Sequence, residues 1–460
     1  MEELRILSTT AILGYGFPEE SFREGLKRRP HVIAVDAGST DPGPYYLGAG
    51  VSFTSRSGVK RDLEYMFEAA MELGVPLIVG TCGGSGAKAH LDWNVDIVRE
   101  ISREQGYTFK LAIIDAEIPK DIVLQKLRDG KITPLHPAPD LAEDTVRESS
   151  RIVGQMGCEP FVKALEMGAQ VILSGRAYDP VVFAALAIQR GYDPGLALHL
   201  GKILECAALA CTPGSGSDCL FGYLGADYFR LEPLSDRRRC TTLSVAAHTL
   251  YEKTDPYKLP GPGGMLDLRE TTFEQTSDNS VTVRGTKFVP TDGYFVKLEA
   301  ARCLGYRTVS FAAASDPLFI EQIDSIVEEV KKRCASNFER QNIGKYHLDF
   351  KLYGKNGVMA MFDGLPPLTA TPGELGIVIE AVAATQDAAN TVCSFARSAM
   401  LHFGYPGRKS TAGNLAFPFS PSDFKVGEAF AFSLYHLMEV SDPMEHFPIR
   451  LTTLDKGELI

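Results

Sequence analysis

The sequence predicts an α/β protein: a parallel, Rossmann-like sheet with helices on both faces, followed by a smaller α+β domain of ferredoxin-like (βαββαβ) plan. Three observations lead there. Through the first 190 residues apolar, β-rich runs alternate with helical patterns, the rhythm of βαβ units. Those runs are almost continuously apolar, as befits strands covered on both faces. After a Pro/Gly-rich segment, KLPGPGGM at 258–265, the order of elements changes. The expected domains are 1–260 and 261–460.

In chain order, the expected strands of the first domain are 4–13 (LRILSTTAIL), 31–36 (HVIAVD), 75–81 (VPLIVGT), 109–115 (FKLAIID) and 170–174 (QVILS). Helical patterns fall between and after them, at 19–29, 59–73, 87–105, 119–129, 141–155, 158–168 and 179–191. LALHLGKILECAALAC reads as one apolar helix over 195–211, and TPGSGSD after it as a loop. LDLRETTFEQ and SVTVRGTKFV, joined at Ser277-Asp278-Asn279, form a hairpin. Then come a strand at 308–314, an amphipathic helix at 316–337, strands at 346–354 and 374–384, a helix at 385–403 and a strand at 429–440, which is the split βαβ order.

The chain has 460 residues, 45% hydrophobic and 23% charged, with net charge -11 and pI ≈ 5.4. So acidic a chain has no broad field for nucleic acid or an anionic membrane. No apolar run approaches the roughly 20 residues that span a bilayer. MEELRILSTT has neither the basic start nor the apolar stretch of a signal peptide. The cysteines are odd in number and scattered, with no C-x-x-C pair, so reduced thiols in a cytoplasm are expected and a structural zinc site is not.

In an open parallel sheet, ligands bind beyond the carboxyl ends of the strands. The residues just past each expected strand are therefore informative. DAGSTDPG supplies Asp36, Ser39, Thr40 and Asp41. CGGSGAKAH supplies Cys82, Gly83, Gly84, Ser85, Gly86, Lys88 and His90. SGRAYDP supplies Ser174, Gly175, Arg176 and Asp179. The glycines let backbone approach an anion at a helix start, or serve a tight strand-to-helix turn. Asp36 and Asp41 suit a base or a hard cation such as Mg²⁺, or an Asx-turn network. Arg176 suits a carboxylate clamp, and Asp179 a cap for the helix starting at Pro180. Lys88 and His90 suit proton donation or charge stabilisation. Neither the P-loop nor the full dinucleotide fingerprint is present. Glu205, in an apolar helix, is costly unless paired or functional.

The segments DAGSTDPGPYYLG, GTCGGSGAKAHLDW, SGRAYDP, ILECAALACTPG and AAHTLYEKTDPYKLPGPGGMLDL together resemble the acyclic terpene utilisation AtuA family, over about residues 5–440. The resemblance implies a cytoplasmic catabolic protein handling branched carboxylic acids or their acyl-CoA esters. It also implies that a small separate partner subunit accompanies some relatives. It supplies no catalytic assignment.

The expectation is an enzyme acting on a small carboxylic acid or CoA thioester, a lyase that adds or removes water or cleaves a C–C bond beside a carbonyl. Asp36, Asp41, Lys88 and His90 are its candidate catalytic groups. Ser39, Thr40, residues 83–86 and 174–176 are its candidate binding groups, and Asp36 and Asp41 the candidate metal ligands. An ester, lactone or amide hydrolase with Cys82, Ser85 or Ser39 as nucleophile is the alternative, though no G-x-S-x-G elbow is present. A non-catalytic metabolite-binding or scaffold subunit is a third. A homo-oligomer is expected on general grounds.

Overall fold

The structure, a computed structural model, describes residues 2–341, 343–358 and 372–460. Two compact units divide the chain: Met1–Arg302 with Phe432–Ile460, and Cys303–Ala431.

The first unit begins β1 (Leu4–Ser8), α1 (Glu19–Lys27), β2 (Val32–Asp36), α2 (Tyr45–Ala49), α3 (Arg56–Leu73), β3 (Leu77–Gly80), α4 (Lys88–Gln105), β4 (Thr108–Ile114) and α5 (Lys120–Arg128). It continues with β5 (Ile132–Pro134), α6 (Glu143–Glu148), β6 (Ser149–Gln155), α7 (Glu159–Glu166), β7 (Val171–Ser174), α8 (Val181–Gln189) and α9 (Pro194–Leu204). Next come β8 (Leu220–Leu224), β9 (Tyr228–Pro233), α10 (Thr242–Thr249), β10 (Lys258–Gly261), β11 (Gly264–Asp267), β12 (Thr272–Gln275), β13 (Val281–Arg284), β14 (Lys287–Pro290) and β15 (Tyr294–Ala314). Residues 303–314 of β15 belong to the second unit. That unit adds α11 (Pro317–Glu321), α12 (Ile323–Gln341), β16 (Tyr346–Tyr353), β17 (Leu375–Ala383), α13 (Gln386–Leu401) and the start of β18 (Asp423–Val440). The chain returns to the first unit for the rest of β18, β19 (Ile449–Asp455) and β20 (Glu458–Leu459).

Among the described residues, the main sheet of the first unit is mixed and eleven-stranded, in the order β12-β13-β9-β8-β1-β2-β3-β7-β4-β19-β20. Its centre, β1-β2-β3-β7-β4, is parallel throughout. Antiparallel strands extend both sides, β8 on β1 and β19 on β4. Alternate residues serve opposite faces. Ile33, Val35, Leu77 and Val79 pack with Phe22 of α1, Phe67 of α3 and Ile97 of α4. Val32, Ala34, Ile78 and Ile172 pack with Phe161 of α7, Phe183 of α8 and Leu200 of α9. Both faces are covered, which is why these strands are apolar at nearly every position. β7 sits between β3 and β4, so the chain leaving β3 enters a helix on one face while its neighbour β7 leads to a helix on the other. Such a divergence opens a crevice at the carboxyl edge.

In the second unit the sheet order is β16-β17-β15-β18, with β17 antiparallel to both neighbours. Residues of β17 alternate buried and half-buried. The buried set, Ile377, Ile379 and Ala381, packs against Ile326 and Val330 of α12 and Val392 and Ala396 of α13.

Several local expectations are corrected. The stretch 141–155 is α6 followed by β6, not one helix, because residues 149–155 find a partner in β15. Long-range pairing overrides local helical spacing there. The helix expected over 195–211 stops at Leu204, and a 3₁₀ turn at Ala207–Ala210 comes after it. The KLPGPGGM segment forms the antiparallel pair β10–β11 within the first unit.

Candidate active site at the carboxyl edge

Asp36 is the last residue of β2, the turn Thr81–Gly86 comes after β3, and Gly175–Asp179 after β7. The three loops are stitched together by backbone. Ala37 N–H donates to Gly80 O (2.9 Å), Ser39 N–H to Gly84 O (3.0 Å) and Arg176 N–H to Gly86 O (3.1 Å). A Cβ on Gly86 would lie 2.2 Å from Arg176 N, and Gly86 has φ +66. That glycine is required twice over, by backbone conformation and by contact.

The glycine turn is mostly closed to an anion. Gly84 and Gly86 N–H already donate to Thr81 O and Cys82 O. At the start of α4, Lys88 N–H donates to Glu117 Oε2 (2.9 Å), so a carboxylate of the chain itself takes the position that a helix N-terminus offers an anion. The strained residue here is Thr81, β-branched with φ 47. Its hydroxyl accepts from Ala177 N–H (3.1 Å) and from Arg176 Nη1 (3.4 Å), which explains what holds it there.

Arg176 is the hub. Nε donates to Glu299 Oε2 and Nη1 to Asp179 Oδ1, each at 2.8 Å, and Nη1 also meets Ala177 O (2.9 Å). Among the described residues Nη2 has no acceptor. Lys297 Nζ reaches the other Glu299 oxygen at 2.6 Å. Burial alone would raise Glu299, but Arg176 and Lys297 overrule it and hold the carboxyl at about 2. Asp179 therefore serves Arg176, and α8 has no side-chain cap.

Asp36 is buried and, among the described residues, its Oδ1 has no hydrogen-bond partner. Burial first, then the nearby Asp179 charge, raise it well above the usual carboxylate range, against the opposing pull of Arg176. Glu205, just past the end of α9, is likewise buried, and among the described residues its Oε2 has no partner. Its Oε1 accepts from Lys202 Nζ at 2.5 Å. Burial pushes Glu205 up to about 7 in spite of Lys202. Burial thus raises the pKa of two neighbouring acids.

Over Arg176 lies a narrow crevice of about 10 Å³, lined among others by Ser39, Thr40, Ser85, Glu299 and Phe432. The other expected groups do not line it. Lys88 is an exposed ion pair with Asp92 (2.8 Å). His90 is buried, its Nε2 3.1 Å from both Tyr46 O and Val51 O, so it ties α4 to α2 and to the residues just past it, and burial lowers its pKa. Asp41 is exposed, its N–H bound by Ser39 Oγ (3.2 Å). Ser174 Oγ is buried and donates to Gly175 O. Cys82 is fully buried, and burial raises its thiol far from ionisation. Among the described residues, no three His, Cys, Asp or Glu side chains gather so as to hold a metal ion. No described helix is long and apolar enough to cross a membrane.

Sequence reasoning had no signal for Glu299, Lys297 or Lys202 as site residues. In FVKLEAA the alternation puts Val296, Leu298 and Ala300 inward and Glu299 in phase with Lys297, so the pattern reads Glu299 as an outward charge.

The model of the acyclic terpene utilisation family protein AtuA matches residues 57–217 and 235–420. The chain belongs to the AtuA family. No match to it was found among curated proteins or among solved structures. The AtuA match includes Thr81–Gly86, Arg176, Asp179, Glu205 and Glu299, while Asp36 and Ser39–Asp41 precede it.

Proposed function

We propose that this carboxyl edge is the active centre of an enzyme that adds or removes water, or cleaves a C–C bond, beside the carbonyl of a small carboxylic acid or its CoA thioester. The observation that carries the reading is Asp36: a buried carboxyl with, among the described residues, an unpartnered oxygen, its pKa raised by burial, beside an arginine with an open N–H arm. Isolated buried acids are costly and are kept where chemistry uses them. The parallel strands read as a Rossmann-like core that supplies the crevice, and the second unit's strand order agrees with a ferredoxin-like plan.

In the dehydration direction, Arg176 Nη2 binds the substrate carbonyl oxygen and stabilises negative charge developing there. Glu205, poised near neutrality, removes the α-proton. Asp36 gives its proton to the departing hydroxyl, which leaves as water, and both carboxyls exchange protons with solvent afterwards. The crevice admits little more than a water molecule, so the reading needs it to widen for substrate; Thr40, in the exposed 40–42 stretch, is part of its wall. The family description, acyclic terpene utilisation, agrees with catabolism of aliphatic acids.

The test is a thermal-shift screen of small carboxylic acids and CoA esters against wild type, Asp36→Asn and Arg176→Lys, with folding checked by circular dichroism. A ligand that raises the wild-type melting temperature but not that of folded Arg176→Lys supports the reading. An Asp36→Asn protein with wild-type turnover of that ligand sinks it.

A further inference from the structure

A second cavity, far larger, lies in the first unit on the α7–α8–α9 side. It holds about 530 Å³, in the range of small-molecule sites. Its walls come from α7 (Val162), α8 (Val181, Ile188), α9 (Leu198), the β10–β11 pair (Leu266) and the start of β14 (Phe288). Tyr178 forms a further wall, and Lys253 Nζ stands 5.5 Å from the centre of its ring. Its neighbour in sequence is Asp179, which pairs with Arg176.

The polar groups of the cavity are few and lopsided. Glu159, Lys163 and Glu166 line it, two acids to one cation. Lys163 is already 3.7 Å from Glu166, with both side chains more than half exposed. Deeper in, Glu159 Oε2 accepts from Tyr294 O–H at 2.7 Å, which fixes that carboxylate in place. A fixed carboxylate recognises a hydrogen-bond donor and repels an anion. Apolar walls reward burial of hydrocarbon at roughly 25 cal/mol per Å².

From these observations we infer that the cavity is a binding site for an uncharged hydrocarbon ligand ending in a hydrogen-bond donor such as a hydroxyl, and that it discriminates against the matching carboxylate. The site is separate from the Asp36–Arg176 centre and stands whether or not that centre is catalytic.

Calorimetric titration at pH 8 with octan-1-ol and with octanoate tests it, on the full chain. The expected result is measurable octan-1-ol binding, with octanoate at least tenfold weaker. Val162→Trp on α7 and Met265→Trp on β11, both lining residues on different walls, each weaken octan-1-ol at least tenfold. Glu159→Gln narrows the alcohol-to-acid ratio at least threefold, and Asp36→Asn leaves octan-1-ol binding unchanged. Octanoate binding as tightly as the alcohol overturns the inference. So does octan-1-ol affinity within twofold of wild type in both tryptophan variants, provided circular dichroism shows them folded.

Discussion

Arg176 Nε and Glu299 Oε2 stand 2.8 Å apart, both side chains almost wholly buried, though they are 123 positions apart in the chain. The pair joins the loop after β7 to β15. Breaking a buried pair by removing one partner leaves an uncompensated charge. Glu299→Gln is expected to cost about 3 kcal/mol or more in urea unfolding at pH 7. The sign with pH is fixed. Glu299 is held at about 2 when folded, below its ordinary 4.5. Its contribution is present above pH 4.5 and is lost as pH falls through about 2. The gap between wild type and Glu299→Gln should therefore shrink over that acid window.

Asp36 behaves in the opposite sense. Its folded pKa is raised, so as pH climbs past the ordinary 3.8 the unfolded chain ionises while the folded chain keeps its proton. Wild-type stability falls across that interval. Asp36→Asn removes the loss, and its melting temperature relative to wild type should rise steadily from pH 4 upward. Equal pH dependence in the two proteins would contradict a protonated Asp36.

Glu205 is placed by its environment at about 7. A carboxylic C=O band in the infrared difference between wild type and Glu205→Gln should fade with a midpoint near that pH. The turnover of any substrate found should carry the same inflection. A midpoint below pH 5 would remove Glu205 as the proposed base.

Gly86 and Gly43 make a controlled comparison. Both have positive φ, but among the described residues a Cβ on Gly43 meets nothing within 4 Å, whereas on Gly86 it strikes Arg176 backbone. Gly43→Ala should cost only about 1–2 kcal/mol, the strain of a left-handed alanine. Gly86→Ala should cost about 3 kcal/mol or more, since the two loops must part. Chemical denaturation of both decides it.

Lys88 is a surface residue by its contacts. Lys88→Ala should change stability by no more than about 0.5 kcal/mol, as for other exposed i,i+4 pairs.

Much of the scaffold was legible. Runs such as HVIAVD and VPLIVGT announce strands covered on both faces, and those strands line up in parallel with their polar successors at one edge. Asp36 and Arg176 could be singled out for that reason. Glu299 could not, because its meeting with Arg176 depends on β15, whose pairing with β6 no local pattern states. The same gap hid β6 inside an apparent helix. The partners of His90 and Lys88 could not be read from proximity in sequence: a helix turns successive side chains to different sides, and His90 meets Tyr46 and Val51 while Lys88 pairs with Asp92. Protonation is further from reach still, since Glu205 near 7 depends on how deeply α9 buries its end.

β19 binds the outer edge of β4, yet it arrives 335 positions after Ile114. On the ribosome, then, β4 emerges with that edge bare and keeps it so until residues 449–455 are made. Bare edges recruit other strands. Nascent chains stalled before residue 449 should be especially prone to cling to chaperones or to one another, and a synthetic 449–460 peptide added in trans should relieve it.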